Sequence, residues 1–398
     1  MIAGRAFFPY AVYRVGCNMT DIQFTMIPCR NQLGPEVWEV WDRLYHHCPA
    51  APIFHHPEWT EIATRTGHVT DLTGIIYFVH KRPFALLPIR RRTAWTAEIV
   101  APAAVEYPVW LVDPVDEEAA WTGLSQWFKR ASHLQLLSLG RYSDQERVAR
   151  YVHYAAQHGL AICSQPVEPV NVLSLPASWQ EFLKTLAKST RGNLHNTENR
   201  LRRDFPDLSI AIFTAADPWE DAMNTLMHHA YLRWQHHAIN IFAQSQQRVY
   251  FRETMRWAVN AGYAAIHVLR VNGIQIAAAT VLRHPRQDLA HYYLVGRDAG
   301  PAYQHYRAGI VLLSHIIRWS IDQGLRELHM GQGRFDYKAQ LGADEQPLWE
   351  LYLAHSPQQA HYWRKIDAAI QLARSMPGAI RSRLPRKAAL ESGEAIRA

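Results

Sequence analysis

Arg307-Ala308-Gly309-Ile310 has the composition of an anion site. These residues open a stretch in which Ile310, Leu313, Ile317 and Ile321 recur at helical spacing, which predicts a helix over Tyr306 to Gln323. The first amides of a helix have no intrahelical acceptor, and the aligned peptide dipoles leave them partly positive. An arginine adds charge there and a glycine lets a ligand approach the backbone, a combination that suits a diphosphate. Other chemical patterns lack their defining parts. The 22 histidines include His46-His47-Cys48, His55-His56, His228-His229 and His236-His237, yet no H-E-x-x-H or paired-cysteine spacing occurs. Adjacent histidines on a helix point in different directions, so no metal site is expected. In Gly331-Gln332-Gly333 the third glycine of a dinucleotide fingerprint would fall at Asp336. The chain carries no Walker A sequence and no G-x-S-x-G elbow, which argues against phosphate-loop ATPase and serine-hydrolase activity.

The elements that must hold such a site read as two similar halves. The first runs through helices at Pro35 to His47 and after Pro57, an alternating pair Thr73 to His80 and Phe84 to Arg92, strands near Glu98 and Tyr107, a helix Asp116 to Arg130, a strand His133 to Leu139 and a closing helix. The second has helices at Trp179 to Leu201, Trp219 to His237 and Gln246 to Asn260. A hairpin turned by Asn272-Gly273 follows, then strand Leu289 to Gly296, the helix from Tyr306, and strands Arg326 to Met330 and Leu348 to His355. This order predicts a duplicated α+β unit, interrupted near Pro166 and Pro169. The divisions expected are an N-terminal extension over 1–26, a first domain over 27–165, a second over 166–356 that holds the ligand site, and a C-terminal helix and basic tail over 357–398. The first half's counterpart of the ligand helix follows Asp113-Pro114 without a glycine and begins with Asp116, Glu117 and Glu118, so only the second half is expected to bind an anion.

Composition narrows the class. A chain of 398 residues with 48% hydrophobic and 19% charged residues fits a two-domain globular protein, and no run approaches the ~18 apolar residues of a membrane span. The net charge is +7, from 42 basic and 35 acidic residues. Of this, +5 lies beyond His361, where eight Lys and Arg face three acidic residues. The near-neutral body argues against nucleic-acid binding; the tail reads as a solvated end and also suits peripheral contact with an anionic membrane. Four scattered cysteines without pairs point to a reduced, cytoplasmic setting.

From about Val170 to His355 the chain resembles the BioF-like, CelD-type acetyltransferase domain of the GNAT superfamily, found in bacterial cellulose and exopolysaccharide biosynthesis. The resemblance is carried by Leu186-Ala-Lys-Ser-Thr-Arg-Gly-Asn-Leu194, by Arg233-Trp234 with Val271-Asn-Gly-Ile-Gln-Ile-Ala277, and by Tyr306-Arg-Ala-Gly309, Gly324, Leu328-His-Met-Gly-Gln-Gly333 and Tyr337-Lys338. His329 stands where the family has an aspartate, which leaves the role of that acid open. The paired layout is similar to that of the Fem peptidyltransferases, which join two GNAT-like units.

The resemblance implies an α+β fold of tandem GNAT-like domains with mixed sheets flanked by helices. It also implies transfer of an acetyl or acyl group from acetyl-CoA or another acyl-CoA to an amine or hydroxyl of a sugar or small metabolite. The cofactor would lie on Tyr306, Arg307, Ala308, Gly309 and Ile310. His329, Asp336, Tyr337 and Lys338 are the candidates for proton transfer and charge stabilisation, since a histidine titrates near neutrality. His329 reads equally as a strand-end residue bonded to backbone, and Lys338 as a surface ion-pair partner. Arg191 and Trp234 are the acceptor-side candidates; a solvated helix face for Arg191 and a core position for Trp234 are the alternatives. A polysaccharide synthase complex is the implied partner. Two other readings remain: aminoacyl transfer from tRNA, as in the Fem proteins, and a non-catalytic scaffold.

Overall fold

The computed structural model describes residues 12–13, 23–28, 35–48, 51–69, 72–79, 83–101, 108–234, 242, 244–283 and 286–375. Most of the extension expected over 1–26, and the tail from 376, lie outside the described residues. In chain order the elements are β1 (Val12–Tyr13), β2 (Gln23–Pro28), α1 (Pro35–His47), α2 (Pro57–Arg65), β3 (Leu72–Val79), β4 (Pro83–Arg91), β5 (Thr96–Ile99), β6 (Leu111–Val112), α3 (Glu117–Arg130), β7 (Leu136–Tyr142), α4 (Gln145–Gln157) and β8 (Ala161–Ser174). There follow α5 (Trp179–Thr185), α6 (Lys188–Asp204), β9 (Ser209–Phe213), α7 (Glu220–Trp234), α8 (Ser245–Asn260), β10 (Ala264–Val271), β11 (Ile274–Arg283), β12 (Leu289–Arg297), α9 (Ala308–Asp322), β13 (Glu327–Gln332), α10 (Asp336–Gln340), β14 (Asp344–Ala354) and α11 (Pro357–Ser375).

The chain divides into two units. The first comprises residues 1–65, 69–167 and 348–398; the second comprises 66–68 and 168–347. The boundary expected at 165/166 thus lies beside the division at 167/168. Residues 348–354, read from sequence as the last strand of the second half, belong to the first unit, where β14 pairs antiparallel with β7. Alternating hydrophobicity shows that a strand has a buried face but does not show which sheet buries it.

In the first unit β2, β3, β4, β5, β7 and β14 pair in that order. Its core gathers Trp110, Trp121, Leu124, Phe128, Leu137 and Leu353. The second unit orders its strands β8, β13, β12, β11, β10, β9, all antiparallel except β12 with β13. The β10–β11 hairpin turns at Asn272 (φ 50°) and Gly273 (φ 73°), the left-handed pair that a two-residue turn of this kind needs. Helix α9 ends before Gly324, which takes φ 73° and lets the chain leave the last turn. The apolar face of α9, with Val311, Leu312, Ile316 and Ile317, packs in one core with Ala279 and Val281 of β11 and Leu328 of β13. Burying four such side chains contributes on the order of 8 kcal/mol against the entropy of ordering them.

Sequence periodicity read one helix from Trp179 to Leu201, and the structure breaks it in two. Leu186 and Ala187 are extended between α5 and α6, with ψ of 150° and 147°. Arg191 of α6 reaches back and donates to the carbonyl oxygens of Leu183 (3.1 Å) and Leu186 (2.8 Å), satisfying acceptors left open where α5 stops.

Candidate active site

The two parallel strands of the second unit pair only at Leu289 with Glu327, Ala290 with Leu328 and His291 with His329, and beyond that point they part. On β12 the parting coincides with a bulge: Tyr293 and Leu294 stand opposite the single residue Thr280 of β11, whose hydroxyl accepts from the Leu294 amide at 3.0 Å. Two adjoining cavities of about 320 and 440 Å³ open there, sharing Arg233, Tyr292, Val295, Phe335 and Tyr337. The smaller continues to Arg307, Gly309, Ile310 and Leu313 at the start of α9, and takes in Arg297 from the end of β12.

This helix start has the features expected from sequence. Arg307 precedes it in the left-handed region, with φ 51° and ψ 39°, a conformation that costs a non-glycine residue about 1 kcal/mol. Its carbonyl accepts from Ile310 at 2.8 Å, leaving the Ala308 and Gly309 amides as the first-turn donors without intrahelical acceptors. Among the described residues Arg297 and Arg307 have no carboxylate within ion-pair distance, and both are exposed along the cavity. Tyr306, grouped with the cofactor residues in the sequence reading, instead points into the protein. Its hydroxyl donates to Asp204 at 3.0 Å, and Arg200 lies over its ring at 5.4 Å.

The structure distributes the expected proton-transfer residues unequally. Tyr337 borders both cavities, and its hydroxyl has no hydrogen-bond partner among the described residues. Burial raises its pKa and the nearby Arg233 charge pulls the other way, with burial the larger effect, so the phenol is protonated at neutral pH. Asp336 is exposed at the first position of α10. Lys338 is 2% exposed rather than a surface residue, and its ammonium donates to the carbonyls of Gly331 (3.0 Å), Gln332 (2.8 Å) and Gly333 (3.1 Å). An ammonium has three donors, so this arrangement uses all of them and leaves none for an acyl carbonyl. Buried Asn171 donates to the Gly331 and Gly333 carbonyls as well, at 3.1 and 3.0 Å. Together the two side chains fix the turn that carries Phe335 and Tyr337 to the cavities.

His329 is not brought to the helix start. Its register partner His291 precedes Tyr292, and strand alternation turns both histidines away from the face on which Tyr292 and Met330 line the larger cavity. The His329 Nε2 lies 2.9 Å from a Glu327 carboxylate oxygen, and its ring is 5.0 Å from that of buried His291. Arg191, spent on the end of α5, also lies away from both cavities. Trp234 is the last residue of α7, and its side chain lies outside the described residues. Sequence reasoning missed Tyr292, Arg297 and Phe335, and quoted Arg233 only as part of the resemblance. Tyr292 was discoverable by counting from His291 along the strand; the arginines come together only through the fold.

The corresponding wedge in the first unit is filled. Parallel pairing of β5 with β7 likewise covers three residue pairs, Thr96 with Leu136 through Glu98 with Ser138. Beyond it the Val109 amide donates to Val100 at 2.9 Å, while Pro108 packs on Gly140 so closely that a β-carbon there would stand 2.6 Å from the proline. Trp110 then lies 4.8 Å from Trp121 and 5.2 Å from Tyr151, ring to ring. Helix α3 opens on Glu117 and Glu118, charges that favour a helix N-terminus and repel a phosphate.

The sequence model of the GNAT acetyltransferase domain matches residues 188–339, from α6 through most of α10. This second-unit segment is similar in sequence to a GNAT domain. The chain as a whole has a tandem GNAT-like α+β fold, as the resemblance implied. The crystal structure of FemX is similar with a TM-score of 0.56 at 8% identity, over 84% of this chain and 99% of that one. L-PGS from Bacillus licheniformis gives 0.53 at 11%, over 90% and 99%. The C-terminal domain of a putative lysylphosphatidylglycerol synthetase from Agrobacterium fabrum gives 0.52 at 11%, over 84% and 96%. At such identities the likeness is one of fold. No curated protein matches the chain in sequence. The matched segment therefore contains the open wedge, the glycine at the helix start and, apart from Glu168, the lining of both cavities. Among the described residues no helix is long and apolar enough to cross a membrane, and no group of three or more His, Cys, Asp or Glu could hold a metal ion.

Proposed function

We propose that the GNAT-like segment transfers an acyl group from acyl-CoA to an amine or hydroxyl. The observation that carries this reading is the open wedge between β12 and β13 and the cavity that continues to Gly309 at the helix start, with Arg297 and Arg307 beside it. The amides and guanidinium groups receive the donor's diphosphate, and the pantetheine arm runs into the gap between the strands toward Tyr337. Catalysis is then chiefly juxtaposition. The acceptor nitrogen or oxygen attacks the thioester carbonyl, the new C–N or C–O bond forms, and the C–S bond breaks. The acceptor's proton passes to solvent, while the Tyr337 hydroxyl protonates the departing thiolate and recovers its proton from water.

Calorimetric titration with acetyl-CoA tests the donor. Saturable one-to-one binding is expected, and absence of binding would overturn the reading. A sugar or small metabolite as acceptor, and a place in polysaccharide assembly, rest on the family resemblance alone. Aminoacyl transfer is the second reading, favoured by the fold likeness to the lysylphosphatidylglycerol synthetase domain. Retention of charged tRNA without acyl-CoA binding would support it.

A further inference from the structure

The larger cavity is chemically unlike the smaller. Its walls combine aromatic rings with cations: Tyr293 and Phe335 beside Arg233, Arg334 and Lys338, with Glu168 also in the lining and Arg334 paired with Glu345 at 3.4 Å. Phe335 is 40% exposed and carries the Arg233 guanidinium 5.8 Å from its ring centre, so the cation is held over a ring face at the cavity wall. The ring is fixed from below, because a β-carbon at Gly333 would stand 2.5 Å from it. Lys338 stands behind this wall, its ammonium hydrogen-bonded to three backbone carbonyls and 5.3 Å from the centre of the Phe335 ring. Glu168 is partly committed, accepting the Arg334 amide at 3.2 Å.

We propose that this cavity is the acceptor site and that it selects an acceptor carrying an anionic group, carboxylate or phosphate, whose apolar part lies against Phe335 and whose anion faces Arg233. The inference rests on the acyltransferase reading and adds the acceptor's class to it. Tyr337 borders both cavities, so an acceptor amine seated here meets the thioester at the shared wall. The reaction is amine plus acyl-CoA giving amide plus CoA, with the ammonium proton lost to solvent before attack.

Calorimetry with three probes tests it: glucosamine, glucosamine 6-phosphate and muramic acid, which offer one amine with no anion, a phosphate or a carboxylate. At least one of the two anionic amines is expected to bind more than about tenfold tighter than glucosamine, the usual advantage of a charge-assisted contact. Arg233→Gln should abolish that preference. Phe335→Ala, at an exposed position, should weaken the favoured probe while circular dichroism stays unchanged. Which anion wins identifies the group. Equal binding of all three, or binding of none up to about 10 mM, contradicts the proposal. Running the probes without CoA reads the acceptor site alone, so a wild-type protein that fails to bind CoA counts against the donor reading and not against this one.

Discussion

Gly309 faces Arg297: a β-carbon built on the glycine would stand 3.6 Å from the arginine's Cδ, an ordinary contact distance, on the wall of the smaller cavity. The space left by the missing side chain is therefore cavity and not core. Gly309 sits in the first turn of α9 and needs no positive φ, so conformational freedom does not account for a glycine here. What the position offers is approach to the first-turn amides.

Arg307 combines strain with charge. Replacing it by glycine relieves the left-handed conformation but adds freedom to the unfolded chain, two effects of about 1 kcal/mol that oppose each other. Arg307→Gly is expected to keep its thermal midpoint within a few degrees of wild type, lose several-fold in acyl-CoA affinity, and show a flatter dependence of that affinity on salt. Melting curves and titrations at two ionic strengths check this.

Tyr337→Phe removes the hydroxyl proposed as proton donor and leaves the ring. Its kcat should fall about 100-fold or more while the acyl-CoA Kd changes little. Stopped assays beside calorimetry separate the two; an unchanged kcat would remove Tyr337 from the chemistry.

Glu198 ties α6 to α9. Its hydrogen bond with His315 at 3.1 Å, aided by Arg202 at 2.8 Å, lowers its pKa to about 2 despite partial burial. A carboxylate lowered on folding stabilises above its unfolded pKa, and that contribution disappears as pH falls toward the folded value. Solvent screening at this half-exposed site limits it to about 1 kcal/mol. Urea unfolding should show wild-type stability declining from about pH 4.5 toward pH 2, and Glu198→Gln should lack that component while being less stable at pH 7.

Much of the fold was legible because its local signals agree. The Asn272-Gly273 turn and the buried Leu313, Ile317 and Ile321 of α9 each follow from one physical rule and stand where sequence put them, while Ile310, read in the same stripe, lines the smaller cavity. Strand β8 was not legible. Pro166 and Pro169 read as an interruption, yet both lie within Ala161–Ser174, where pairing with β13 begins only at Val170. Of the residues lining the candidate site, Gly309 was singled out by its place at a helix start and Tyr337 by the family resemblance alone. Lys338 and Arg191 could not be separated from ligand-binding cations by sequence, because the backbone carbonyls that occupy them are brought near by tertiary folding.

The C-terminal segment divides at the end of α11. Asp367 is 5% exposed and holds the Thr96 hydroxyl at 2.9 Å and the Arg92 guanidinium at 3.0 Å. Asp367→Ala leaves Arg92 without this partner and should cost about 3 kcal/mol. Truncation after Met376 spares the helix and should leave acyl transfer intact. Equilibrium unfolding of the first variant and turnover by the second are the measurements.

Acyl-CoA binding by Gly309→Val tests the central claim most directly. Valine has better helix propensity than glycine, by a few tenths of a kcal/mol, and the β-carbon position is clear of the core, so the variant should fold with unchanged circular dichroism. Its branched side chain would occupy the space in front of the Ala308 and Gly309 amides. Isothermal titration with acetyl-CoA is expected to show wild-type binding and a loss of about 100-fold or more in the variant. Folded Gly309→Val that binds acetyl-CoA as tightly as wild type would contradict the placement of the donor at the start of α9.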